Sequence, residues 1–109
     1  MLVNQVQLQA RVLEVKPLRH TPAGLPALDL VLQHQSEIME ASHPRMIELI
    51  IHARALGETA KFMSGISMGS EIRVKGFLAQ ARKNSGRVIL HIQSVQFPSK
   101  GVVTVHTTV

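Results

Sequence analysis

The sequence predicts a small all-β barrel, five strands closing on themselves with one short helix. Three observations predict it. Apolar and polar residues alternate with a period of two in five separate stretches, the mark of half-buried strands. One stretch alone has a helical period, and it falls between the third and fourth of these strands. The interior must also be aliphatic. The chain is 45% apolar but has three phenylalanines, no tryptophan and no tyrosine. Val, Ile and Leu therefore build the core, and branched side chains suit a pleated surface better than a helix.

The first strand carries Val6, Leu8, Ala10 and Val12 on one face and Gln7, Gln9 and Arg11 on the other. The apolar phase then switches to Leu13 and Val15, which predicts a bulge and a strong bend. Pro17 ends the strand. Thr21 to Pro26 is a turn-rich loop, because proline presets φ and glycine tolerates positive φ. In the second strand Leu28, Leu30 and Leu32 oppose Asp29, Val31 and Gln33. The polar stretch from Gln35 to Pro44 is predicted to be a mobile loop. The third strand, about Met46 to Ala53, sets Ile47, Leu49 and Ile51 against Met46, Glu48, Ile50 and His52; the extra Ile50 means that this second face is partly covered or meets a partner.

Leu56, Ala60 and Met63 recur at helical spacing, and Gly65 provides a stop. So short a helix is stable only when packed on the sheet. Met68-Gly69-Ser70 turns into the fourth strand, Glu71 to about Ala81, with Ile72, Val74 and Leu78 inward and a kink at Gly76. The fifth strand, Val88 to Phe97, sets Val88, Leu90 and Ile92 against Ile89, His91 and Gln93. Bent strands in this order, with a helix between the third and fourth, describe the five-stranded Greek-key OB-fold. An SH3-like barrel is the structural rival, but it has no natural place for the helix. Residues 1–98 form this domain. The tail, 99–109, is β-prone but set off by Pro98 and Gly101, and an edge strand, a contact with a second subunit and disorder all fit it.

The net charge is +5, which points to an anionic partner or to solubility alone. Its distribution favours a partner. No acidic residue follows Glu71, whereas Arg73, Lys75, Arg82, Lys83, Arg87 and Lys100 do. Arg82, Lys83 and Arg87 crown the turn between the last two strands, where an OB-fold flanks its nucleic-acid face. Cations there approach phosphates and release counterions. The bland reading is a solvated hairpin tip.

The absence of cysteine excludes disulfides and thiolate chemistry and favours a reducing cytoplasm. The N-terminus carries no basic segment followed by an apolar run, so neither a signal peptide nor a membrane span is expected. His34, His43 and His52 recur at nine-residue steps, too far apart for a zinc site. No nucleophile elbow or phosphate loop frames the serines, histidines and lone Asp29, so no enzyme, metal or cofactor is expected.

Three stretches together resemble primosomal replication protein N, a small relative of bacterial single-stranded DNA-binding protein. They are Pro17-Leu18-Arg19-His20-Thr21-Pro22-Ala23-Gly24-Leu25-Pro26 leading into Leu30-Val31-Leu32-Gln33-His34; Gly69 to Leu78, GSEIRVKGFL; and Val88-Ile89-Leu90-His91-Ile92. The resemblance spans roughly Asn4 to Phe97. The longer acidic tail of single-stranded DNA-binding protein is missing.

The resemblance implies a homodimer of OB-folds, non-enzymatic, acting in replication restart with single-stranded DNA, a restart helicase and other primosome proteins. It implies DNA contacts by Arg82, Lys83 and Arg87, and by Arg19 and His20 in the first loop, although histidine is the weaker cation at neutral pH. Gln35 stands where relatives can carry a basic residue. Arg45 and Met46 stand near an aromatic stacking position of the family. Phe77, opposite Ile72 and Val74 on its strand, is the candidate stacking platform; Phe97 is assigned to edge packing and Phe62 to the helix–sheet core. With so few aromatics, binding leans on charge. Three or four neutralised phosphates give a slope of log K against log salt of roughly −2 to −3. The rival readings are a protein-interaction scaffold with weak nucleic-acid affinity and an RNA-binding module.

Overall fold

The computed structural model describes residues 1–98 and the backbone of residues 104–105. The elements run β1 (Val6–Val15), β2 (Arg19–His20), β3 (Pro26–Glu40), β4 (His43–Leu56), α1 (Glu58–Met63), β5 (Glu71–Gln80) and β6 (Val88–Gln96). A two-residue strand, β7 (Thr104–Val105), pairs antiparallel with β6. The rest of the tail lies outside the described residues. No helix among the described residues is long and apolar enough to cross a membrane.

Five strands close the barrel. β1 runs antiparallel to β5 from Val6 to Arg11 and to β3 from Arg11 onward, so that Arg11 faces Glu71 on one side and Gln33 on the other. β3 pairs with β4, β4 lies parallel to β6, and β6 returns antiparallel to β5. The expected bulge occurs in β1. Val12 pairs with Leu32 and Glu14 with Val31, leaving Leu13 as the surplus residue. Val15 returns to the core, but Leu13 is half exposed rather than inward. A second bulge in β6 opposes Lys75–Gly76 and leaves Gln93 unpaired. There the carbonyl of His91 comes so close to Gly76 that a Cβ would collide with it. That contact explains glycine inside a strand.

Leu28, Leu30, Leu32, Ile72, Val74, Leu90 and Val95 fill the interior, each essentially inaccessible to solvent. Burying each of these side chains contributes about 1.5–3 kcal/mol. α1 presents Thr59, Ala60 and Met63 to this core, and Gly57, at φ 69°, turns the chain into it. Phe62 meets Phe97 edge to face with ring centroids 6.0 Å apart.

Further expectations are corrected. Leu56, read as part of the helical period, is the last residue of β4, and the helix begins at Glu58. Gln35 to Pro44 is not a loop: β3 and β4 run on as a long hairpin, paired out to Glu40 and His43. Its two-residue turn, Ala41–Ser42, has positive φ at both positions. Such turns are normally marked by Asn or Gly, so the sequence carried no visible signal for one. Leu78, predicted inward, keeps the core phase of its strand but is 39% exposed. Its backbone is instead clasped by Asn4, whose side-chain amide donates to the Leu78 carbonyl while its oxygen accepts from the Leu78 N–H.

Candidate nucleic-acid interface

Cross-strand register builds the site. Asp29 on β3 faces Arg54 on β4, Arg54 faces His91 on β6, and His91 faces Phe77 on β5. Residues directly opposite each other share a face, so these four side chains form one row across the outer surface of the barrel. The Phe77 and His91 rings stack, 6° from parallel with centroids 5.0 Å apart. The β2–β3 hairpin brings Arg19 to the other end of the row. Its turn is held by the Thr21 N–H to the Leu25 carbonyl at 2.8 Å and the Gly24 N–H to the Thr21 carbonyl at 2.8 Å.

Asp29 anchors two cations. Arg54 Nε donates to Oδ1 at 2.9 Å and Arg19 Nε to Oδ2 at 3.0 Å. Burial pushes the Asp29 carboxyl up, but hydrogen bonds from Arg54 and Arg19 and their charges outweigh it, and the net shift is below the usual carboxylate value. His91 is pushed below the ordinary histidine value, first by burial and then by the charge of Arg54. At neutral pH it therefore acts as an uncharged ring.

Lys16, His52, Arg54 and Arg87 line a cleft of about 190 Å³ beside Asp29, the one acid in its wall among the described residues. Ile89 also lines it, buried yet outside the core cluster. Above it the β5–β6 loop is tied down by Ala81 N–H to the Arg87 carbonyl at 2.8 Å and by Ser85 N–H to the Arg82 carbonyl at 3.0 Å. Arg82, Lys83 and Arg87 all stand exposed on this braced loop, without an ion pair among the described residues.

The expected residues divide. Arg19, Phe77 and Arg87 share the barrel-mouth surface, with Arg82 and Lys83 on its rim. His20 is exposed in the first hairpin, paired with Pro26. Gln35 and Met46 keep the outer phase but sit out along the hairpin, where the Gln35 amide donates to Glu48 at 3.1 Å. Arg45 is not brought to this face. It points to the opposite one, opposite Ile38, and bonds Glu40 at 2.6 Å. Lys16, Asp29, His52, Arg54 and His91 were not expected in the site. The alternation His52–Ala53–Arg54 was the available signal: two polar residues on one face of a strand whose other face is core. His34 is committed elsewhere. Its Nδ1 donates to the Gln9 carbonyl at 2.7 Å, and its Nε2 lies 2.8 Å from the Ser36 hydroxyl. No group of three or more metal-ligating side chains occurs among the described residues.

Residues 4–94 match a family model described as another single-strand binding protein family. Replication restart protein PriB of Bordetella pertussis is 53% identical over 94 residues, covering 86% of this chain and 88% of that one. The structure of PriB from Ralstonia solanacearum superposes with a TM-score of 0.83 at 31% identity, over 90% of this chain and 100% of that one. The single-stranded DNA-binding protein of Thermus aquaticus superposes at 0.73 with 26% identity, over 93% of this chain and 53% of that one.

Proposed function

The chain belongs to the PriB family of replication restart proteins, and from that premise we propose that it holds single-stranded DNA on the outer barrel face during replication restart. The observation that carries this reading is the cationic cleft of Lys16, Arg54 and Arg87 beneath the exposed Arg82 and Lys83. These groups meet phosphates one after another, while the Phe77–His91 stack offers an uncharged surface for a base. Affinity then follows backbone charge, and sequence preference is weak. The protein is not an enzyme. It works in the cytoplasm, where it joins DNA to a restart helicase and other primosome proteins.

We also propose a homodimer through β1. From Val6 to Ala10 this strand is paired with β5 on one side only. Among the described residues its other edge has one capped carbonyl, that of Gln9, and an edge so exposed invites a second strand. Light scattering showing a monomer at micromolar concentration would count against this.

A second reading, a protein scaffold, is favoured by the hairpin, whose outer face carries Glu37 and Glu48 beside the exposed Met46 and Ile50. The deciding experiment titrates labelled single-stranded and duplex DNA by fluorescence anisotropy at two salt concentrations. Preference for the single strand with a slope of roughly −2 to −3 is expected. No binding at low salt would leave the scaffold reading.

A further inference from the structure

We propose that Asp29 is a positioning residue of this DNA surface: it grips Arg19 and Arg54 by their Nε atoms alone, so that their outer guanidinium nitrogens project as a two-pronged clamp for one backbone phosphate. The inference rests on the single-strand reading above and deepens it.

Each arginine gives Asp29 one bond, not the parallel two-bond fork that guanidinium forms with a carboxylate as its final ligand. Arg54 is tethered a second time, through Nη1 to the Ala81 carbonyl at 3.4 Å, and its Nη2 makes no hydrogen bond among the described residues. The Nη atoms of Arg19 make no hydrogen bond among the described residues. The side chains of Arg19 and Arg54 are 45% and 28% exposed, so both reach solvent. The cleft wall adds Lys16 and Arg87 and no second acid. A tetrahedral anion with several acceptor oxygens satisfies donors arranged in this way, and on a chain read as a single-strand binder that anion is a phosphodiester.

The opposing effect is charge. Asp29 itself repels a phosphate; across about 6 Å this costs roughly threefold at the dielectric of water and more at a protein surface, less what its pairing with two guanidiniums cancels. Immobilising one flexible side chain at the moment of binding costs about two- to tenfold. Asp29 removes that loss for two arginines at once, and its own charge is already balanced by both.

The two effects predict opposite signs. Wild type, D29N, D29E, R54Q and the D29N/R54Q double variant are titrated against labelled oligo(dT) across a salt series. Charge alone requires D29N to bind more tightly. Positioning requires D29N to bind about fivefold more weakly, D29E to fall between, and R54Q to cost less in the D29N background than in wild type. Circular dichroism melting checks folding. If D29N does not fold, D29E decides, since it keeps the charge and displaces the carboxylate: weaker binding supports the clamp and equal binding overturns it. Tighter or unchanged binding by folded D29N overturns the inference while leaving the single-strand reading intact. A wild-type protein that ignores oligo(dT) at low salt overturns both.

Discussion

The two ends of the β3–β4 ribbon carry opposite surfaces on one continuous outer face. At the barrel end, Asp29 is outnumbered by Arg19, Arg54, Lys16 and Arg87, and it braces the Arg19 and Arg54 side chains, the second of which also bonds backbone. At the hairpin end the same face bears Glu37 and Glu48 with exposed Met46, Ile50 and Met39, and no cation. The one arginine out there, Arg45, lies on the reverse side, paired to Glu40. An exposed pair of that kind contributes little stability. A polyanion is drawn to the first end and repelled by the second. On the reading proposed above, one ribbon separates the surface for nucleic acid from a surface better matched to protein.

Reversing Arg82, Lys83 and Arg87 to glutamate should have the largest effect. Loss of three phosphate contacts flattens the salt slope by about 2, with a corresponding collapse of affinity at low salt and an unchanged melting temperature. Retained affinity in the anisotropy titration would break the comparison at its cationic end. Phe77→Ala comes next. A lost stacking platform costs about 1 kcal/mol, the low end of the range for base–aromatic stacking because His91 already covers one face. The same titration reads this as roughly a fivefold weakening at every salt concentration, without a change of slope. Glu37→Lys with Glu48→Lys sharpens the contrast from the other end. If the DNA track stops at the barrel, affinity for a short oligonucleotide changes by less than about threefold; a larger gain would extend the track along the hairpin.

The smallest effect is in pH. His91 sits below its ordinary value of 6.5, so an unfolded chain binds more protons just below that pH. Its contribution to stability is complete above about 6.5 and declines as acid lowers the pH through the folded value. Asp29 adds a second loss at lower pH: its carboxyl is held below 3.8, so the stability it provides above that value disappears as pH falls through the folded one. Melting temperatures measured stepwise from pH 7 to pH 3 should fall in those two windows.

The barrel was legible because its signals are local. Alternation in Val6 to Val12 and Leu28 to Leu32 marks strands, the phase change near Leu13 marks a bulge, and Ala60 and Met63 mark a helix face. The basic loop was legible as charge without acid. The hairpin was not, because a turn built from Ala41 and Ser42 lacks the residues that announce positive φ. Half of the candidate site was also hidden. Lys16, Asp29, Arg54 and His91 come from four separate parts of the chain, and only the register of β3, β4 and β6 brings Asp29, Arg54 and His91 into line. Arg45 and Met46 are neighbours in sequence but point to opposite sides, which a strand imposes and a loop would not.

The unpaired Leu13 and Gln93 bear on how much the chain's length can vary. Deleting either would restore an unbroken ladder, and every neighbour would keep its side. What would vanish is curvature. A straighter β1 or β6 no longer meets its second partner, and the cylinder opens into a flat ribbon whose bare margins recruit other molecules. Shortening by one residue at these places should therefore yield oligomers and precipitate, whereas the same deletion in the loop from Arg82 to Gly86 should leave a dispersed, folded protein.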